Sequence, residues 1–436
     1  MEILKPLQKN IYKTQTFQSK NLSKELSIEL NCCGTKEYTK VSFPVKYGIF
    51  SRIETCDYIF EFNLNHEICH AKSKKRTWLH PSEWLKRTMG DDWVYYSTGG
   101  YSGVFEALGE YYLPNLTYPT NSLLGGKPFE ESGIDDIVKN WHQIISQLPD
   151  TGMPDEFSRW IQSIRQQSPE RLQKKAQQLF DISGSRVTVM PPDARHVDYN
   201  IIPLNISDGC LYKCRFCKVK NEKNFSIRSK QDIDNQIIEL KQWLDKDVIN
   251  FNALFLGEHD ALNAPCDLII TTIQDAFDAF EFQSSYMKEN FLFMFGSVDS
   301  FLNTEKTFFD SLNCLPFQTF INIGLESYDQ ATLDLLGKPL TQNQVGQAFE
   351  KVQTINDTFP NIEITCNFVM DESLPDSHYK GLMTLIRASV NRTKPKGCIY
   401  LSPLKFGCPS RQVLYDFYKL KSQSRFPTFL YMIQRL

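Results

Sequence analysis

Hydrophobic spacing along this chain changes character once, near residue 190. Before that point the pattern is broken by turn signals at Cys33-Gly34, Gly99-Gly100 and Gly125-Gly126 and by many isolated prolines. Tyr58 to Leu64 alternates enough to predict a strand, and residues 134–180 turn helical with breaks near Pro149 and Pro154. Glu170 to Phe180 is a run of strong helix formers. Pro191-Pro192-Asp193 then reads as a linker or turn. Beyond it, short apolar runs alternate with helix-period segments. Strands are expected at 199–206, 251–256, 291–295, 319–324, 362–370 and 398–401, with helices between them and after the last. Ser229 with Asp232, and Thr341 with Gln344, mark two helix starts, and Ile233, Ile237, Leu240 and Leu244 then share one face. Such alternation implies a parallel sheet with right-handed crossovers. The expected fold class is therefore α/β, a partial (β/α)6 barrel over 191–425. An α+β accessory, substrate-shaping region (1–190) precedes it and a docking tail (426–436) follows.

Composition narrows the class. Apolar residues are 41% and charged residues 23%, a globular balance. Lysine plus arginine is 48 against 51 acidic residues, a net charge of −3, which argues against holding nucleic acid by bulk charge. Apolar runs such as Phe291 to Phe295 fall far short of the roughly 20 residues of a spanning helix. Met1 to Pro6 lacks the hydrophobic stretch of an export signal. The 12 cysteines are accordingly expected as reduced thiols in a cytoplasmic protein, not as a disulfide framework. Cys56, Cys69, Cys266, Cys314, Cys366 and Cys398 stand singly and read as small buried apolar residues. Cys32 and Cys33 are adjacent, a poor geometry for chelation.

Cys210, Cys214 and Cys217 differ. They follow the first expected barrel strand in the spacing Cys-x3-Cys-x2-Cys. With 12 cysteines in 436 positions, that pattern arises by chance about once in a hundred such chains. A structural zinc site needs four ligands, and no second Cys-x2-Cys or His pair follows at finger spacing. Three thiolates suit a [4Fe–4S] cluster that keeps one iron open to a substrate or cofactor.

This loop, with aromatic Phe216 before the last cysteine, resembles the cluster loop of radical S-adenosylmethionine (SAM) enzymes. The resemblance covers residues 195–420. It implies that SAM chelates the open iron and is cleaved reductively to methionine and a 5′-deoxyadenosyl radical, which abstracts hydrogen from the substrate. It also implies an external electron donor such as flavodoxin or ferredoxin. Leu256-Gly257-Glu258 matches part of the family's Gly-Gly-Glu-like turn, with Leu256 in place of the first glycine, so Gly257 and Glu258 are expected at the SAM amino group. Ser297 and Asp299 follow the third strand, where the family places polar SAM contacts. Ile323-Gly324-Leu325-Glu326-Ser327 with Leu335-Leu336-Gly337-Lys338-Pro339 resembles the elongator-type and oxygen-independent coproporphyrinogen oxidase branch. There Glu326, and more weakly Ser327, would lie beside the SAM ribose and carboxylate. Asn367 could face the adenine.

The remainder of the chain sets bounds. No Asp-x-His-x-x-Gly signature of a cobalamin domain occurs in residues 1–198. Only Cys398 and Cys408 fall in the last 50 residues, too few for an auxiliary cluster, so one cluster is expected. Lys72, Lys74, Lys75, Arg76, Lys86 and Arg87 interleave with Trp78 and Trp84; the stretch could grip a phosphate backbone but reads better as a solvated face. His70 and His80 lack further metal partners at useful spacing. The aromatic run from Trp93 to Tyr101 reads as a packed strand and turn, and the apolar tail from Phe426 is expected to dock. A single-cluster radical SAM enzyme acting on a small molecule or peptide is the favoured function. The alternatives are a nucleic-acid modification enzyme and a non-catalytic, cluster-bearing binding module.

Overall fold

The computed structural model describes residues 12–21, 24–38, 46–76, 78, 84–96, 110–113, 132–149, 152–187, 189–217, 224–388, 396–404 and 411–431. His80, Cys408, the turns at Gly99-Gly100 and Gly125-Gly126, and the chain after Tyr431 lie outside them.

The first region is more regular than its sequence texture. Eight strands form one antiparallel meander in which each pairs with the next: β1 (Gln15–Asn21), β2 (Lys24–Cys33), β3 (Ile49–Thr55), β4 (Tyr58–Phe62), β5 (Ile68–Ser73), β6 (Trp84–Arg87), β7 (Trp93–Tyr96) and β8 (Glu110–Leu113). Only one face is apolar: β2 buries Leu26, Ile28 and Leu30, and β4 buries Phe60 and Phe62. Strands such as β2 therefore alternate apolar with polar positions, which hides them from a search for apolar runs. Helices α1 (Ser132–Ser146) and α2 (Asp155–Arg165) cover that face, with Trp160 edge-on to Phe62 at 5.6 Å. Helix α3 (Pro169–Ser183) starts at Ser168, whose side chain accepts from Arg171 N, and ends at the left-handed Gly184.

The second region is a parallel sheet in simple order: β9 (Ile202–Asn205), β12 (Ala253–Gly257), β13 (Phe291–Gly296), β14 (Gln318–Glu326), β15 (Ile362–Met370), β16 (Ile399–Pro403) and β17 (Thr428–Leu430). A two-stranded ribbon, β10 (Ser207–Asp208) with β11 (Ser226–Ile227), follows β9. The helices are α4 (Lys230–Leu244), α5 (Cys266–Ala279), α6 (Val298–Asn303), α7 (Lys306–Asn313), α8 (Gln330–Leu336), α9 (Gln342–Thr358), α10 (Asp376–Ala388) and α11 (Arg411–Gln423). Ser229 caps α4, and Thr341 with Gln344 forms both arms of the capping box that starts α9. This is the expected partial barrel with one strand more. The tail supplies it: β17 extends the sheet by pairing parallel to β16, and Tyr431 O–H donates to Met190 O at 2.7 Å. None of the described helices is long and apolar enough to cross a membrane.

Two expectations near residue 195 change. The first strand starts at Ile202, not 199, because Asp198 and Tyr199 take positive φ and turn the chain. The expected linker is a buried plug: Pro192–Val197 is a short helix beneath the inner face of the sheet. Its Asp193 carboxylate accepts from Thr365 Oγ1 and from Tyr400 O–H, each at 2.6 Å, and His196 stacks on Phe320 at 4.8 Å. Proline suits the first helical turn, so the dipeptide opens a helix where it suggested a break.

The meander docks at the edge where the parallel strands begin. The Asn250 side chain bridges Ile49 N and O, Lys86 Nζ reaches Asp198, and Tyr286 O–H donates to Gly34 O. Only α3 runs along the barrel to the other edge, where Ser183 O accepts from Asn205 Nδ2.

Candidate active site

The carboxyl ends of the parallel strands converge on the cysteine loop, the place where open α/β sheets carry ligands. The loop leaves the ribbon, whose Asp208 is held bidentately by Arg228 at 2.9 and 2.8 Å. It then docks on the last turn of α8: Arg215 N donates to Leu336 O at 2.9 Å and Arg215 Nη2 to Asp334 O at 2.6 Å. Both carbonyls lie in the last turn of α8, where intrahelical partners run out, and Asp334 O also accepts from the capping Gly337 N. Gly337 makes the approach possible, since it has φ +65° and a Cβ there would meet Arg215 Nε at 2.8 Å. Phe216, which the resemblance would place at the cofactor, packs half-buried against Leu336, Val369 and Leu374 on its way into the site.

Cys214 is buried, and Cys210 and Cys217 are half-buried. Burial raises the Cys210 thiol above its ordinary range and pushes Cys214 up to about 11; the nearby Lys338 opposes this at both. Each of the two also feels the charge of Cys217. Among the described residues, no three His, Cys, Asp or Glu side chains converge closely enough to hold a single metal ion. A cubane asks for a wider triangle, because its three thiolates stand on three different irons. Three cysteines sharing one field fit that donor set. Beside the loop, the buried atoms Asn205 Oδ1 and Ser207 Oγ have no hydrogen-bond partner among the described residues.

Gly257 and Glu258 stand at the end of β12, joined by a cis peptide. A Cβ on Gly257 would meet Asn205 Oδ1 at 2.5 Å, so glycine is what lets β9 and β12 close up here. Glu258 is buried with His259 Nε2 at 3.7 Å, and burial, opposed by the Glu258 charge, keeps the His259 pKa low. Glu326 ends β14 just past a bulge and has φ +64°, which turns its side chain out of the strand alternation. Its carboxylate folds back over Gly324, where a Cβ would lie 2.5 Å from Oε1.

Glu326 Oε1 lies 3.3 Å from Lys338 Nζ, and both side chains are buried. The ammonium also lies over the Tyr212 ring, 5.0 Å from its centroid, between Cys210 and Cys214 in sequence. Burial opposes the Lys338 charge, but Glu326 and the neighbouring thiols outweigh it and raise the pKa. Nothing in the segment around Lys338 predicts a role for it from sequence alone. Twelve residues separate it from Glu326, so only the fold pairs them.

The other expected residues make contacts within the chain. Ser297 caps α6, accepting from Ser300 N, and its own N–H donates to Asp260 at 2.8 Å. Asp299 accepts from Tyr212 O–H at 2.6 Å and from Gln344 Nε2 at 3.1 Å. Ser327 is fully buried against His378 Nδ1 at 2.8 Å and accepts from Asp329 N. Asn367 faces the barrel interior in a reciprocal amide pair with Asn322, at 2.7 and 3.2 Å. The basic stretch is spent on ion pairs: Lys74 with Glu54, Lys75 with Asp57 and Arg87 with Asp91 within the meander, and Lys86 with Asp198 across the seam.

No protein-family model matches this chain, and no curated protein matches it. Among solved structures, the cobalamin-dependent S-adenosylmethionine radical enzyme OxsB, with aqua-cobalamin bound, is similar at 18% identity, with a TM-score of 0.33. That match covers 52% of this chain and 30% of OxsB. A radical SAM methyltransferase from Sphaerobacter thermophilus is similar at 13% identity over 53% of this chain and 65% of that one, with a TM-score of 0.34. Methylornithine synthase (PylB) is similar at 12% identity over 57% and 69%, with a TM-score of 0.33. The chain thus spans less than two thirds of the first two, and likenesses this distant decide nothing about its reaction.

Proposed function

We propose that this protein is a single-cluster radical SAM enzyme of the cytoplasm. The observation that carries the reading is Cys210, Cys214 and Cys217 on a loop that docks on α8, with the charges of Lys338 and Glu326 acting on Cys214 and with Glu258 following the carboxyl end of β12. The three cysteines would hold a [4Fe–4S] cluster, and Glu258 would accept from the SAM ammonium group. Together these cofactors supply reductive cleavage of SAM to methionine and a 5′-deoxyadenosyl radical, with the electron coming from a donor of the flavodoxin or ferredoxin type.

The chain's own share is positioning and exclusion of water. Arg215, Gly337 and Phe216 fix the loop to α8. Phe255, Phe293 and Phe320, with the plug from Pro192, fill the interior toward the base and leave the opposite end for the reaction. The Asn322–Asn367 amide pair on the inner wall offers a neutral, hydrogen-bonding surface, in keeping with a small molecule or peptide as substrate.

Anaerobic reconstitution should load about four irons per chain, in line with one cubane. Addition of SAM and a reductant should then release 5′-deoxyadenosine. A variant with all three cysteines changed to alanine should bind no cluster. Four irons in that variant would remove these cysteines as the ligands. A loaded wild-type chain that releases no 5′-deoxyadenosine would instead favour the binding-module alternative.

A further inference from the structure

We infer that Lys338 is a positioning residue that sets the electrical environment of the cysteine loop, and that Glu326 acts through it. This rests on the cluster reading above. Lys338 is one of few buried lysines, 8% exposed, and it lies under the loop, with its ammonium over the Tyr212 ring. Its backbone position is fixed by the Gly337 turn on which Arg215 docks, so loop and lysine move as one unit. Among the described residues its ion-pair partner is Glu326, at 3.3 Å, longer than a close charged hydrogen bond. The bulge after Gly324 and the left-handed Glu326 backbone turn the carboxylate to the lysine.

A charge so placed has a defined consequence. One-electron reduction of a group held by the cysteines adds one negative charge, with no bond made and no proton moved. A nearby cation stabilises the more negative state and raises the reduction potential, while a nearby carboxylate lowers it. Lys338 and Glu326 therefore pull in opposite directions, and the pair sets the balance.

The test is a redox titration of reconstituted protein with dithionite, without SAM, followed by electron paramagnetic resonance. Lys338→Met should move the midpoint to more negative potential. Glu326→Gln, which frees the lysine, should move it to more positive potential. Lys338→Arg keeps the charge and should stay near wild type, which separates charge from packing. Iron content and circular dichroism establish that each variant is folded and loaded. A loaded Lys338→Met protein with the wild-type midpoint overturns this inference and leaves the cluster reading intact. Shifts of the same sign in Lys338→Met and Glu326→Gln overturn it as well. A wild-type chain that takes up no cluster overturns both.

Discussion

The two ends of the barrel each bury a lysine–glutamate pair, and they use it differently. At the base, Lys46 Nζ lies 2.8 Å from Glu61 Oε2, with its ammonium 3.2 Å from the centre of the Trp84 ring. Glu61 is also held by Arg52 at 2.9 Å and faces His70 at 3.4 Å. Burial disfavours the Glu61 charge, yet the cations around it hold its pKa far below the usual carboxylate range. At the other end, Glu326 has Lys338 alone among its described ion pairs, at 3.3 Å, on a left-handed backbone beside three thiols. Saturated charge at the base knits the meander together next to the seam where it meets the barrel. Unsaturated charge at the carboxyl edge leaves capacity for a ligand. On the proposed reading, the number of partners, and not burial, distinguishes the structural pair from the functional one.

The sharpest way to break this comparison is to remove the carboxylate at each end. Glu61→Leu strands Lys46 and Arg52 without their shared partner, and breaking a buried pair this way costs about 3–5 kcal/mol. Glu326→Gln keeps a hydrogen-bonding side chain and strands one lysine that still has the thiols nearby. Chemical denaturation should show the large loss for Glu61→Leu and a clearly smaller one for Glu326→Gln. Equal losses would mean that both pairs are structural and that partner number carries no information.

Glu258 sharpens the functional side. Its loss should weaken SAM binding while iron content and unfolding midpoint hold. One charge-assisted hydrogen bond is worth about 1.5–3 kcal/mol, or roughly ten- to a hundredfold in affinity. Equilibrium titration of Glu258→Ala with SAM measures this, and an unchanged dissociation constant would take Glu258 out of the site.

What could be read from sequence follows the range of the interactions. The cysteine spacing, the Ser229 cap and the Thr341 box are complete within eight residues, and each is in place. Barrel strands β12 and β13 are apolar on both faces, so they stand out as runs. Of the meander strands, β4 and the aromatic β7 stand out, and β4 stops at Phe62 because Asn63 opens a turn in which His66 N donates to Asn63 O. Pro191-Pro192 reads as a break because proline statistics are local, whereas Asp193 is fixed by Thr365 and Tyr400 from far along the chain. The same distance hides Lys338: its partners Glu326 and Tyr212 reach it only after the loop docks on α8. The tail strand β17 is three residues long, too short to show a period.

The smallest predicted effect tests whether the base is closed to protons. Burial, aided by the Lys46 charge and opposed by Glu61, lowers the His70 pKa to about 4. In the unfolded chain it returns to about 6.5. Between those values the unfolded state binds more protons, so this contribution to stability is present above about pH 6.5 and is lost as pH falls toward 4. The ceiling is about 1.4 kcal/mol per pH unit, and solvent reaching a quarter of the side chain reduces the total to about 1–2 kcal/mol. Asp247, at the same seam, has its pKa raised to about 7 by burial, and its sign is opposite: it favours the folded state as pH falls from 7 toward 4. Wild-type stability alone would therefore mix two slopes. The difference between wild type and His70→Gln isolates one, because Asp247 is common to both. Glu61 begins to lose its contribution only near the unfolded glutamate range, about pH 4.3, so the window from 6.5 to 5 belongs to the histidine. Cys214 at the far end, pushed up to about 11, does not titrate there. Any advantage of wild type over His70→Gln in chemical denaturation should shrink steadily across that window. A difference that stays constant with pH would show that His70 already titrates like an exposed imidazole. The base would then be as open to water as the edge that carries the cysteines.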